Sequence, residues 1–185
     1  MEFGRLGCAV IHADRIAHQV LERPDVRRQV VGLLGDSILG ADGKIRRKAV
    51  AALVFADPVK VQALSQIVHP PVLREVERLM QEYQDRSEVP ALILDMPLLL
   101  EVGWADRCDR LIFVACDLKT RLARVGELTA DEVLSREKCQ ISLDKKAALA
   151  DNSLDNNSDF SALIRQIATV FSSIMKNRGG LRSEG

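Results

Sequence analysis

A chain of 185 residues with 47% apolar side chains is long enough to bury the core of one domain. Lys+Arg and Asp+Glu balance at 26 each, which excludes a global basic field for nucleic acid or a membrane surface. No apolar run reaches the roughly 18 residues of a membrane span and no secretory segment is evident, so the expected location is the cytoplasm.

The first elements follow from local chemistry. Phe3 and Leu6 read as the last turn of a helix, and Gly7 sets up a short apolar strand over Cys8–Ile11. Asp14 opens a helix whose Ile16, Val20 and Leu21 share a face until Pro24 interrupts, and Val26 to Leu34 forms another. Gly35, Gly40 and Asp42-Gly43 mark loops before the basic cluster Lys44 to Lys48. Asp57-Pro58 is a helix start, with Asp as N-cap and Pro at the first helical position. His69-Pro70-Pro71 is expected to break that helix, with a further one over Val72 to Tyr83.

The second half alternates in the same way. Ala91 to Leu94 is a continuous apolar strand ending at Asp95, and Arg110 to Ala115 is another. Thr129-Ala130-Asp131-Glu132 is a capping box for a helix toward Gln140. Ser158 or Asp159 caps a last helix with a core stripe of Leu163, Ile164, Ile167, Val170, Phe171 and Ile174. The expected fold class is α/β, a three-layer α/β/α arrangement with a parallel sheet. Residues 1–176 are read as one domain and 177–185 as a disordered tail.

Ligands of parallel α/β folds bind beyond the carboxyl ends of the strands. Asp14 and Asp95 both fall there. They are either a pair of carboxylates serving a substrate hydroxyl and a magnesium ion, or two capping residues. Cys8, Cys108, Cys116 and Cys139 form no CxxC pair and are expected to be reduced and structural. His12, His18 and His69 are not at metal-ligand spacing.

Six segments in order resemble the dephospho-CoA kinase family of P-loop, nucleoside-monophosphate-kinase-like proteins. They are Gly7 to Ala17 (G-x-x-V-I-D-A-D-x-I-A in the family), Gly43 to Arg47 with Val54-Phe55-Ala56-Asp57-Pro58, Ile67 to Pro70, Asp95 to Glu101, Arg121 to Gln140, and Ala150 to Asn156. The resemblance implies ATP-dependent phosphorylation of the ribose 3′-hydroxyl of dephospho-coenzyme A, the last step of coenzyme A biosynthesis, with ATP and Mg2+. It implies a helical substrate lobe over about 24–84 and a helical lid over about 121–142. By the same match Asp14 would be the general base and touch substrate. Arg47, His69 and Asp95 would serve the substrate, Asp95 being also the candidate magnesium ligand. Arg124 and Arg136 would be lid arginines with a catalytic role, and Asn156 with Arg124 would hold the nucleotide. The implied partners are dephospho-coenzyme A and ATP, with a monomer or small homo-oligomer and no nucleic acid or membrane.

Three departures stand beside the resemblance. No G-x-x-x-x-G-K-[ST] occurs anywhere, so the first strand and P-loop are expected to be missing and the true start to lie upstream of Met1. His12 stands where the family pattern has the first Asp of D-A-D. Val125 to Thr129 lacks a further lid arginine. The alternative is a non-catalytic relative that binds a coenzyme-A-like or nucleotide ligand, or a protein. A dinucleotide-binding dehydrogenase is excluded, because no G-x-G-x-x-G follows any strand.

Overall fold

A computed structural model describes residues 2–54, 57–126 and 129–178. The helices are α1 (Glu2–Arg5), α2 (Ala13–Glu22), α3 (Pro24–Leu34), α4 (Arg47–Val54), α5 (Pro58–Gln84), α6 (Leu118–Arg124), α7 (Ala130–Lys138), α8 (Leu143–Leu149) and α9 (Phe160–Arg178). The strands are β1 (Ala9–His12), β2 (Leu92–Asp95), β3 (Ile112–Ala115) and β4 (Asn152–Asp155). The architecture is mixed α/β with parallel strand pairing. Two compact units are present, one running Gly7–Pro97 and the other formed by the residues before Gly7 with those from Leu98 on.

In the first unit β1 pairs in parallel with β2, Ala9 opposite Leu92 and His12 opposite Asp95. The entry to β1 needs glycine. Gly7 has φ +85°, a left-handed backbone that a Cβ disfavours, and its α-carbon faces the Pro90 ring. Helices α2 and α3 pack on the long α5. Their apolar faces bury Ile16, Val20, Val26 and Val30 with Val72 and Val76. A 3-10 turn at Asp36–Ile38 inserts Ile38 into this core with no exposed surface.

Helix α5 is a correction to the expected break. It runs unbroken for 27 residues through Pro70 and Pro71. Each proline removes one backbone donor, but Pro71, Val72 and Val76 are buried, so core packing holds the helix through the defect. Its start is as expected: Asp57 Oδ1 accepts from the backbone N–H of Val59 (3.0 Å) and of Lys60 (3.4 Å).

In the second unit β3 pairs in parallel with β4, Ile112 opposite Asn152. Helix α9 packs on β4, burying Ile167 and Leu154, and Phe3 of α1 meets Phe171 edge-on at 6.5 Å. Strand β4 gives little sequence signal, since Asn152-Ser153-Leu154-Asp155 has a single apolar residue. The capping box at Thr129 forms as expected, and Asp159 Oδ1 accepts from Ala162 N–H at 2.9 Å. The sequence anticipates one parallel sheet; among the described residues the strands form two separate two-stranded sheets. Helix α9 takes in residues 177 and 178 of the expected tail. The rest of that tail, with Phe55, Ala56, Glu127 and Leu128 of the motifs, lies outside the described residues.

Ile38→Ala should lower unfolding free energy by about 2–5 kcal/mol, the usual cost of emptying a filled core site. Denaturant titration should show the midpoint shift at constant slope. A second expectation concerns acid. The Arg23 side chain holds the Asp25 carboxyl below the usual range, and Arg78 does the same for Glu75. Backbone N–H groups of Thr120 and Ala162 lower Asp117 and Asp159. A carboxyl lowered in the folded state binds its proton more readily when unfolded. The stability these groups add is therefore complete above their ordinary values near about pH 4 and is lost as pH falls through the lower folded values. Asp117→Asn and Asp159→Asn keep a capping oxygen but cannot titrate, so acid unfolding followed by circular dichroism should be less steep in the double variant.

Candidate active site

Strand β1 ends at His12, which also occupies the N-cap position of α2 without capping it through its side chain. Asp14 therefore falls inside the first turn of α2, not at the cap. An acidic side chain there complements the positive end of the helix. It is exposed, and among the described residues no hydrogen bond or ion pair engages its carboxylate. The capping reading of Asp14 is thus replaced by an open carboxylate just past the carboxyl end of a parallel strand.

Asp95 ends β2 and is the register partner of His12. His12 Nδ1 lies 3.0 Å from Asp95 Oδ2. The His12 side chain is 19% exposed and that of Asp95 47%. With its proton on Nδ1 the imidazole donates to Oδ2, and Oδ1 of Asp95 stays available to solvent or a ligand. His12 thereby orients the neighbouring carboxylate.

Two adjacent arginines follow different paths. Arg46 donates from Nε to Leu39 O (3.1 Å) and from Nη2 to Ser37 O (2.6 Å), closing the loop before α4. Arg47 opens α4 and reaches His18, its Nη1 lying 2.9 Å from Nδ1 and 2.6 Å from Nε2. Burial pushes the His18 imidazole below its ordinary value, the Arg47 charge pushes the same way, and Asp14 opposes both. His18 is one helical turn beyond Asp14 on α2. The sequence weighs His18 only as a metal ligand, and the i, i+4 spacing from Asp14 is the one signal of its place beside that carboxylate. His69 lies in the middle of α5, half-buried, and burial lowers its imidazole so that it is neutral at pH 7. It caps no helix. Among the described residues no hydrogen bond links it to Asp14, Arg47 or Asp95.

In the second unit the structure brings Arg124 and Asn156 together. Arg124 Nη1 donates to Asn156 O at 2.6 Å and to its Oδ1 at 3.0 Å, and Nη2 reaches Ser158 O at 3.4 Å. Arg136 sits half-buried near the end of α7. An Arg121–Glu137 ion pair ties α6 to that end. Beyond it Glu101 Oε1 accepts from Ile141 N–H (2.9 Å) and pairs with Lys146 Nζ (2.8 Å), which also donates to Gln140 Oε1 (3.1 Å). The Glu101 and Lys146 side chains are 16% and 13% exposed. This half-buried pair fixes the segment after α7, and only the Glu101 of the matched motif hinted at it.

A family profile described as dephospho-CoA kinase matches residues 1–162. A dephospho-CoA kinase of Symbiobacterium thermophilum is 36% identical over 97% of this chain and 76% of its own length. One from Thermus thermophilus is 33% identical over 95% of this chain and 84% of its own. A crystal structure from Thermus thermophilus superposes with TM-score 0.70 at 32% identity, covering 93% of this chain and 87% of the other. Dephospho-CoA kinase from Campylobacter jejuni shares the fold, with TM-score 0.65 at 23% identity over 95% and 89% of the two chains.

Breaking the half-buried pair from one side strands a charge. Glu101→Ala should cost about 1–3 kcal/mol, and Glu101→Ala combined with Lys146→Met should recover much of it. A denaturant double-mutant cycle measures the difference.

Proposed function

The chain belongs to the dephospho-CoA kinase family, and from that premise we propose that it transfers the γ-phosphoryl group of ATP to the ribose 3′-hydroxyl of dephospho-coenzyme A. The observation that carries the chemistry is Asp14. A general base needs an unpaired carboxylate within reach of the hydroxyl proton, and Asp14 is exposed, unpartnered among the described residues and set beyond a parallel strand. In this reading Asp14 accepts the proton as the hydroxyl oxygen attacks the phosphorus. The β-γ bridge bond breaks and ADP leaves with the electron pair.

The remaining roles follow the family pattern. Arg47 and His69 serve the acceptor, Arg124 and Arg136 the transferring phosphate, and Asn156 with Arg124 the adenine end of ATP. Magnesium is bound by one or two carboxylates together with substrate phosphates and retained waters. Asp95 fits that demand, because His12 occupies one oxygen and leaves the other open. Such an ion neutralises charge on the phosphates when bound.

Backbone N–H groups of a Gly-rich loop normally cradle the donor phosphates, with its Lys on the β- and γ-phosphates. These 185 residues contain no such sequence. We therefore infer that these 185 residues alone transfer phosphate slowly. The same observation favours a second reading, a non-catalytic relative that keeps the acceptor site.

The test compares the 185-residue chain with one carrying the codons in frame before Met1, following ADP release that depends on dephospho-coenzyme A. The first reading expects turnover in the longer protein. In that active form Asp14→Asn should lower kcat at least about 100-fold, with acceptor affinity within about threefold. Acceptor binding without turnover in either form supports the second reading, and an unchanged kcat in Asp14→Asn removes Asp14 from the chemistry.

A further inference from the structure

Four arginines of the first unit are committed to protein partners. Arg23 pairs with Asp25 at 2.9 Å, Arg78 with Glu75 at 2.7 Å and Arg86 with Glu82 at 2.7 Å. A carboxylate at that distance cancels most of the charge that a guanidinium could offer to a ligand. Arg46 is committed to the backbone of the loop it closes. Arg47 differs from all of these. It is exposed, it is held by the His18 ring, and among the described residues no carboxylate pairs with it.

An imidazole ring nitrogen without a proton accepts a hydrogen bond and carries no formal charge. We propose that His18 is a positioning residue for Arg47, holding the guanidinium in place without cancelling its charge so that the charge is kept for a phosphate-class anion of the acceptor. This rests on the reading that the unit binds dephospho-coenzyme A. Asp14 and His18 lie one turn apart on α2, both exposed, and Arg47 at the start of α4 reaches the His18 ring, so the guanidinium stands against the helix that carries the proposed base. The lowered His18 imidazole agrees with this, since the ring stays neutral at pH 7 beside the arginine.

The alternative is that His18 merely anchors Arg47 as a surface contact. The two roles separate on His18→Glu, which grips a guanidinium more strongly than histidine does but neutralises it. Calorimetric titration with dephospho-coenzyme A is done on wild type, Arg47→Gln, His18→Gln, His18→Glu and His18→Glu/Arg47→Gln, with thermal melts to confirm folding. All three single-site changes are at exposed positions. The expected result is a loss of tenfold or more in Arg47→Gln and in His18→Glu. His18→Gln keeps a neutral acceptor and should stay within about threefold. Adding His18→Glu to Arg47→Gln should cost less than about threefold more, because its effect passes through the arginine.

Wild-type affinity in His18→Glu overturns the proposal and leaves the functional reading standing. So does an equal loss from His18→Glu in both backgrounds, which signals direct repulsion of the ligand. Unchanged binding in Arg47→Gln removes the arginine from the site and the proposal with it. Failure of the wild type to bind dephospho-coenzyme A overturns the functional reading itself.

Discussion

The parallel register of β1 on β2 is the constraint on which the candidate acceptor site depends. A shift of one residue would turn every side chain of β1 to the other face. It would place Ile11 at the position of His12 and drive an apolar side chain out of a core where it is 2% exposed. Burial of Ile11 therefore locks His12 opposite Asp95. It also sets the residue at which α2 begins. Asp14 falls in the first turn of that helix, and His18 falls one turn later, because the strand can end nowhere else. Burial of one apolar side chain thus fixes the position of three polar groups.

Helix starts were legible because their chemistry is local. Asp57-Pro58, the Thr129 to Glu132 box and Asp159 each satisfy backbone donors within four residues, and each forms as read. What failed depends on distant parts of the chain. Pro70-Pro71 reads as a break on any local scale, yet buried Pro71, Val72 and Val76 make the continuous helix the better-packed state. β4 carries one apolar residue, and its strand character comes from pairing with β3 and from Asp151, whose carboxylate accepts from Leu111 N–H at 2.7 Å. Alternation of strands and helices identified the class, but the division of the strands into two pairs has no signature within a strand.

The site was legible to a similar degree and for the same reason. Asp14 and Asp95 could be found because both terminate strand patterns. His12 looked like a loss of charge when read along the chain. Across the sheet it is the hydrogen-bond partner of Asp95, a relation that only register reveals. Arg46 and Arg47 are indistinguishable in a run of basic residues; their roles part only when a loop carbonyl takes one and a histidine 29 positions away takes the other.

That choice of partner organises the charge of a molecule whose formal net charge is zero. With 26 cations against 26 anions, an anionic ligand meets no long-range attraction, and exposed charges farther apart than about 8–10 Å are largely screened. Recognition must then come from individual cations left uncancelled. Pairing with carboxylates removes Arg23, Arg78, Arg86 and Arg121 from that pool. Arg27, which donates to Gly43 O at 3.3 Å, and Arg46 keep their charge, but releasing either one opens the loop it holds. Arg47 keeps its charge on a side-chain acceptor that engages it through Nη1, so a ligand can meet the guanidinium with no loss of backbone structure. An arginine held in this way is ordered before binding and still carries its charge, which lowers the entropy lost when an anion is captured.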